Sequence, residues 1–459
     1  MLQFKGIAQG LGTSSSSRSC GLQPGPKGLW RSPIQRVCLS VRCSDGAAAQ
    51  QSGILLKDEE LEKSQKRASV LVLGGTGRIG ASTARALNES TPPVRIVIGG
   101  RNRQKGETLA AELGEGTSFS QFDIEDVESL KSALNGVDLV VHTAGPFQRA
   151  TKCTVLEAAI ATKTAYIDVC DDSDHSKLAK GYHQQALAAS VPAITTAGIY
   201  PGVSNIMAAE LIRLNKTASS ESLPERVRYS YYTAGSGGAG PTILATSYLL
   251  LGEEVEVYQK GQLLRLKAYS GERVVDFAKG LGKKSVFLLN LPEVASTHKY
   301  LGVPSVSARF GTDPPIWNWA MSAVAKFAPA EFLKDRNKVN SLVELSDPLV
   351  RAVDGIVGEK VSMRVDVDFT DGRKSVGLFT HKKLSVCVGR SIAAFVSAVL
   401  EGSTKPGVWY PEEDGGIAPD ARETLLERAS RGTINFVMNR PPWMVDKDPK
   451  EIGFGLYLD

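Results

Sequence analysis

Ser69-Val70-Leu71-Val72-Leu73-Gly74-Gly75-Thr76-Gly77-Arg78-Ile79-Gly80 is the stretch from which the rest of the chain can be read. Ser69–Leu73 is a short apolar run cut off by glycines, which predicts a buried strand. Gly75-x-Gly77-x-x-Gly80 follows it directly and opens a segment that is helical by composition over Ala81–Asn88. The spacing has a mechanism. The first glycine makes the tight turn, the second lets backbone approach a pyrophosphate, and the third lets helix and strand pack closely. N–H groups free at the helix start then meet the phosphates. Alone the pattern is weak. With a strand before it and a helix after it, it predicts a dinucleotide site at Gly74, Gly75, Thr76, Gly77, Arg78, Ile79 and Gly80.

The same rhythm continues outward. Val94–Ile98, Ser118–Phe122, Val137–His142, Ala165–Val169 and Ala193–Thr196 read as strands. Between them Gln104–Leu113, Val127–Leu134, Thr151–Ala161 and Ser173–Ala189 read as helices. Strands alternating with helices imply βαβ units and a doubly wound parallel sheet of Rossmann type. After about Pro201 the rhythm changes. Arg226–Thr233 alternates as a half-buried strand, a glycine-rich loop runs from Gly235 to Gly240, and Pro241–Leu251 is a helix. Glu254–Tyr258, Ser285–Leu289 and Ser305–Phe310 read as strands. Lys360–Phe369 and Ser375–Val388 form two long runs around Asp371-Gly372, a hairpin signal. The prediction is therefore α/β: a Rossmann domain over 68–201, an α+β domain with a mostly antiparallel sheet over 202–389, and a segment over 390–459 that returns to the first domain, beginning with an Ala/Val-rich helix at Ser391–Glu401.

The end of the second strand discriminates between cofactors. An NAD site usually places Asp or Glu there for the ribose 2′-OH. Here it reads Ile98-Gly99-Gly100-Arg101, with Arg103 and Lys105 close behind. A guanidinium can hold a 2′-phosphate bidentately, so NADP(H) is favoured over NAD(H), with Arg101 as its reader. Asp123, after the third strand, is placed for the adenine edge, or else it or Asp126 caps the next helix. Ala144, Gly145, Pro146 and Phe147 end the fourth strand and should line the nicotinamide side, because ligands of open α/β sheets lie beyond the strand carboxyl ends.

With these segments in order, the chain resembles the saccharopine dehydrogenase-like oxidoreductases, as a plastid-targeted plant member. The resemblance runs through Gly74–Gly80, Gly100-Arg101, Gly145-Pro146-Phe147, Tyr166-Ile167-Asp168, Ala197–Asn205, Gly235–Gly240 and Gly407-Val408-Trp409-Tyr410-Pro411-Glu412, across about residues 68 to 435. It implies a Rossmann domain, an α+β domain inserted before the last helices, and NAD(P)-dependent redox chemistry at C–N or related bonds. Cys170-Asp171-Asp172 departs from the family's small-residue-Gly-Glu stretch: an acid is kept and the glycine is lost. Arg309, on a strand of the second domain, is the best-placed arginine for a substrate carboxylate, or else an ion-pair partner.

Asp168, Asp172 and Tyr200 lie near strand ends on the cofactor face and are the candidates for proton transfer. His142, on an apolar strand, reads as a core histidine, and Cys170 as a buried small residue. No tyrosine has a lysine four residues later, which excludes the acid pair of short-chain dehydrogenases. Two functions follow. One is an NADP(H)-dependent oxidoreductase acting on a small substrate. The other is a non-catalytic NADP(H)-binding redox sensor or scaffold, motivated by the missing acid–base pair.

Residues 1–44 hold six basic residues and no acidic one, a serine run from Ser14 to Ser17, and scattered Gly and Pro. That composition reads as a transit peptide, followed by a linker over 45–67. A glycine-broken start makes a poor amphipathic helix, so a chloroplast address, with the stroma as destination, is favoured over a mitochondrial one. Of 54 basic and 49 acidic residues in the chain, 48 basic ones then remain, which gives no clustered basic excess for nucleic acid. Cys153, Cys170 and Cys387 are too sparse for a disulfide framework or a zinc site, and the five histidines have no metal-ligand spacing. No apolar run approaches the ~18 residues that span a bilayer. A homodimer is left open.

Overall fold

A computed structural model describes residues 67–446, apart from 219–221, 235–240 and 279. The expected leader, the linker up to residue 66, the glycine loop 235–240 and the last thirteen positions, 447–459, lie outside the described residues.

The first sheet contains β1 (Ser69–Leu73), β2 (Arg95–Gly100), β3 (Thr117–Gln121), β4 (Leu139–His142), β5 (Ala165–Asp168) and β6 (Pro192–Ile194). A seventh strand, β15 (Gly407–Trp409), joins it from far along the chain, and the order is β15-β6-β5-β4-β1-β2-β3. Every pairing in it is parallel. The central strand β1 is buried over its whole length, as expected when helices cover both faces. Successive side chains of a strand face opposite ways. Accordingly Val70 and Val72 pack with Ala84 and Leu87 of helix Arg78–Asn88. Leu71 and Leu73 pack with Leu130, Leu134 and Leu156 on the other side.

The second sheet follows. Its strands are β7 (Pro224–Ala234), β8 (Glu254–Gln259), β9 (Gln262–Lys267), β10 (Arg273–Asp276), β11 (Lys283–Leu288), β12 (Ser305–Asp313), β13 (Lys360–Phe369) and β14 (Lys374–His381), with β16 (Asn435–Arg440) at one edge. The path is β10-β11-β12-β7-β13-β14-β16, and β8 pairs with β12 and β9. Only β12 against β7 is parallel among these pairs. The sheet is thus mostly antiparallel, and the α/β class with a second α+β layer holds.

Three boundaries differ from expectation. Ser375–Val388 is not one strand: β14 stops at His381 and helix Leu384–Leu400 begins. Beyond His381 the buried residues recur at Leu384, Cys387, Val388, Ile392 and Phe395, a helical period that replaces the alternation of two. The border drawn at 389/390 therefore falls inside that helix. Ser173–Ala189 breaks near Gly181 into Ser173–Lys180 and His183–Ala188. The return segment also divides. Helix Leu384–Leu400 packs on helix Arg78–Asn88, and β15 (Gly407–Trp409) pairs with β6. β16, in contrast, pairs with β14 of the second sheet. Gly389 permits the helix contact: a Cβ there would lie 2.6 Å from the Ser82 carbonyl oxygen.

Helices Pro292–Tyr300, Pro315–Phe327 and Arg336–Val357 complete the second layer. No helix among the described residues is long and apolar enough to cross a membrane.

Candidate functional site

The carboxyl ends of β1, β2, β3 and β4 meet around a cleft. Its walls are Gly74, Thr76, Gly77, Arg78, Ile79 and Gly80 from the first turn, Gly99–Arg101 from the second, Phe122–Glu125 from the third, and Thr143–Gly145 from the fourth. The turn is held by backbone: Gly77 N–H donates to Gly74 O at 2.8 Å, and Gly75 N–H to Gly99 O at 3.0 Å. Gly75, expected as a contact, is buried beneath the turn and does not line the cleft. Gly80 sits where a Cβ would come within 2.3 Å of Gly74 O, so only a glycine lets the helix start against the turn.

These residues fit a dinucleotide phosphate. Helix Arg78–Asn88 has no side-chain cap and no acid in its first turn. Its first N–H to find a backbone acceptor in the helix is that of Ala81, on Gly77 O at 2.8 Å. The positive end of the helix thus opens onto the cleft, the arrangement that favours an anion. Arg101 follows β2 on the same rim and is exposed, with no carboxylate in ion-pair range among the described residues. Arg103 is instead engaged by Glu107 at 2.7 Å, and Asn102 caps the next helix through Lys105 N–H at 2.9 Å. Of the two aspartates after β3, Asp126 caps helix Val127–Leu134. Asp123 closes a local turn through Glu125 N–H at 3.1 Å and stays on the cleft wall.

The cleft continues past Ile79, Thr143 and Gly145 into a second hollow walled by Pro146, Phe147, Val169, Asp171, Gly198–Pro201 and Thr246. Leu384 and Val388 of the returning helix close one side. Ala144 belongs to the cleft, Pro146 and Phe147 to this hollow, and Gly145 to both. Phe147 is wedged between the rings of His142, at 4.9 Å, and His175, at 5.5 Å. Burial, then the nearby His175, pushes His142 down to about 3, so it is neutral and part of the core. Pro146 O accepts from Arg336 at 2.6 Å, which ties the loop to helix Arg336–Val357 of the second layer.

The three candidates for proton transfer separate here. Asp168 is fully buried, and its carboxylate is saturated. Oδ1 accepts from Cys170 N–H at 3.0 Å, Thr196 N–H at 2.8 Å and Thr195 Oγ1 at 3.1 Å, while Oδ2 accepts from Tyr166 OH at 3.0 Å. It pins β5 to the turn after β6 and has no room for a substrate. Asp172 caps helix Ser173–Lys180 through His175 N–H at 2.6 Å. Both are structural. Tyr200 does reach the hollow; its hydroxyl is buried without a hydrogen-bond partner, and its ring stacks on Tyr231 at 4.5 Å. Burial raises its pKa far out of the physiological range, so it stays a donor.

The carboxyl that faces the hollow is Asp171, which the sequence reading passed over in Cys170-Asp171-Asp172. The signal was present in outline: Asp168 ends the strand and Asp172 caps the helix, which leaves Asp171 as the uncommitted acid between them. Gln148, itself buried, donates to Asp171 Oδ1 at 2.8 Å and accepts from Thr246 Oγ1 at 3.3 Å. Burial pushes the Asp171 carboxyl up to about 6; the Gln148 hydrogen bond opposes this and Asp172 adds to it. Such a group holds and releases a proton near neutrality.

Asp171, Tyr200 and Thr246 also border a third cavity, formed by the second domain. Arg309 is not in it. On β12, Phe310 and Thr312 face the cavity, and the alternation of the strand sends Arg309 to the other side. There it donates to Gly271 O and Ser307 Oγ, each at 3.0 Å. Cys170 is buried and its thiol is pushed up by burial, as expected of a packing residue. No group of three or more potential metal ligands occurs among the described residues.

Residues 70–200 match the family described as the saccharopine dehydrogenase NADP binding domain. The chain carries a saccharopine dehydrogenase NADP-binding domain. The cofactor of that domain, NADP(H), agrees with the acid-free turn at Arg101. In fold, the apo L-Glu-forming saccharopine dehydrogenase of Saccharomyces cerevisiae superposes with a TM-score of 0.57 at 13% identity, covering 81% of this chain and 100% of that one. The chain is thus saccharopine dehydrogenase-like in sequence over this domain and in fold beyond it. Curated relatives match only in part. Prestalk A differentiation protein A of Dictyostelium discoideum is 35% identical over 78 residues, 17% of this chain and 25% of its own length. Phenylcoumaran benzylic ether reductase PT1 of Pinus taeda is 27% identical over 96 residues, 20% of this chain and 31% of its own length.

Proposed function

We propose that the protein is an NADP(H)-dependent oxidoreductase whose reaction takes place where the dinucleotide cleft meets the cavity of the second domain. The observation that supports this most directly is the position of Asp171 and Tyr200, which border both the hollow that continues the dinucleotide cleft and the cavity of the second domain. Gly74 and Thr76–Gly80 would hold the pyrophosphate, Arg101 the 2′-phosphate, and Ala144–Phe147 the nicotinamide side. A bound nicotinamide supplies or removes hydrogen together with its electron pair. Asp171 gives a proton to the substrate heteroatom as it is reduced, or takes one in the reverse direction, and exchanges it with solvent afterwards. Gln148 orients Asp171. The Tyr200 hydroxyl, without a partner of its own, donates to the same heteroatom and stabilises charge as it develops there.

The test is a turnover measurement on the full chain with NADPH and a panel of aldehydes, ketones and imines. Asp171→Asn is expected to keep NADPH binding and to lose about 10²–10⁴-fold in rate, the range for a removed general acid. Unchanged turnover in that variant would overturn the assignment. A chloroplast address belongs to the same proposal and is supported by the composition of residues 1–44. Import of the radiolabelled full chain into isolated chloroplasts, with loss of about 44 residues, checks it.

A further inference from the structure

The third cavity differs in kind from the cleft that leads to it. Leu244, Leu289, Phe310, Trp317, Met321 and Val350 dominate its wall, drawn from helices Pro241–Leu251, Pro315–Phe327 and Arg336–Val357 and from the second sheet. Among the described residues, no lysine, arginine or histidine lines it. Several of its polar groups point away or are engaged. Tyr269 OH donates to Asn318 Oδ1 at 2.8 Å, Tyr248 OH to Ser346 Oγ at 3.2 Å, and Thr246 Oγ1 to Gln148. The groups suited to proton transfer and hydrogen-bond donation, Asp171 and the Tyr200 hydroxyl, stand together at the end that opens to the dinucleotide cleft. The cavity is therefore polar at its mouth and apolar along its length.

We infer that this cavity binds an uncharged, largely apolar carbonyl compound, with the carbonyl at Asp171 and Tyr200 and the hydrocarbon part between β12 and the three helices. The inference rests on the oxidoreductase reading for the role of the mouth, but the apolar wall stands without it. A carboxylate here would lose its water, find no cation in the wall, and face the Asp171 carboxyl at the mouth. Arg309, the cation a carboxylate ligand would need, is on the far face of β12. Small pockets of this type bind through apolar contact and take their orientation from a few polar groups. The wall selects against amino acids and oxo acids, and it selects for length.

The experiment is isothermal titration of the NADPH-saturated full chain with 2-hexanone, 2-octanone and 2-decanone, and with 2-oxooctanoate as the charged match of 2-octanone. Each added methylene should tighten binding about threefold to fourfold, and 2-octanone should bind more tightly than 2-oxooctanoate. Met321→Trp, which fills the cavity from one helix, should weaken 2-decanone at least tenfold while leaving the NADPH affinity unchanged. Val350→Phe, on another helix, should act the same way and covers the case in which the first variant fails to fold. Tighter binding of 2-oxooctanoate, no dependence on chain length, or ketone affinity unchanged in both variants would each overturn the inference. Failure of NADPH to bind would sink the oxidoreductase reading alone, since the comparison of ketone with oxo acid can be read on the apo chain. Turnover of oxo acids but not ketones would sink the apolar assignment and leave the oxidoreductase.

Discussion

Asp168, Asp171 and Asp172 lie within five positions, and the chain puts one side chain to three uses. Asp168 gathers four donors and fixes backbone, Asp172 caps a helix, and Asp171 is left to face the site. Three predictions belong at this scale. Asp168→Asn leaves donors facing a group that is itself partly a donor, at about 1–3 kcal/mol for each buried group left unpaired; the melting temperature should fall, whatever happens to turnover. For Asp171 the sign is set by its raised value of about 6. The protonated form is present below that pH, so the reductive rate should fall as pH rises through about 6, and the oxidative rate should rise. That pH step should vanish in Asp171→Asn. Arg101→Ala gives a third: NADPH affinity should drop with loss of a charge-assisted contact, about 1.5–3 kcal/mol, while NADH affinity stays, as read by fluorescence titration. Equal loss for both cofactors would remove Arg101 from the 2′-phosphate.

At the scale of elements, the informative contacts are between pieces far apart in the chain. Helix Leu384–Leu400 lies on helix Arg78–Asn88, whose N-terminus is the phosphate site. Gly389→Ala would press a methyl against the Ser82 backbone at 2.6 Å. Overpacking of this kind typically costs about 1–3 kcal/mol, and the variant should melt lower and bind NADPH less tightly, because the phosphate-binding helix must shift. Retained stability with weaker binding would instead mean that the helix moves freely. The elements of the Rossmann half were legible because each has a local cause: alternating faces for strands, glycine spacing for the turn, Asn102 and Asp126 as caps. Strands β9, β10, β15 and β16 were not. They are short, three to six residues, and β9 is mostly exposed, so they exist through pairing with a partner rather than through their own pattern.

Across the whole molecule, one apolar core runs from Val70 and Val141 of the first sheet through Ile206 and Met207 to Tyr229 and Val365 of the second. The two layers should therefore unfold in one transition, and calorimetry showing two separated peaks would contradict a shared core. Glu293 lies in that interior, accepting from Tyr231 OH at 2.6 Å on one oxygen, while the other has no partner. Burial pushes it up to about 7 from the ordinary 4.5. The folded state holds this proton more tightly than the unfolded one, so its contribution to stability is complete below about pH 4.5 and is lost as pH rises through about 7. Glu293→Gln should flatten the pH dependence of the melting temperature across that window and gain on the wild type at pH 8.

What the sequence by itself determined is whatever rests on neighbours a few residues apart: the glycine turn, the strand–helix alternation, the preference for NADP(H) in an acid-free Gly99-Gly100-Arg101. What only the tertiary structure decided is what depends on residues brought together from afar. Gln148, Asp171, Tyr200 and Thr246 span about a hundred positions, and only their convergence on one hollow shows that Asp171, the acid its neighbours leave uncommitted, faces the site. The direction in which Arg309 points, and the apolar wall built from three separate helices and a sheet, likewise follow from strand register and layer packing, which depend on buried contacts rather than on any motif.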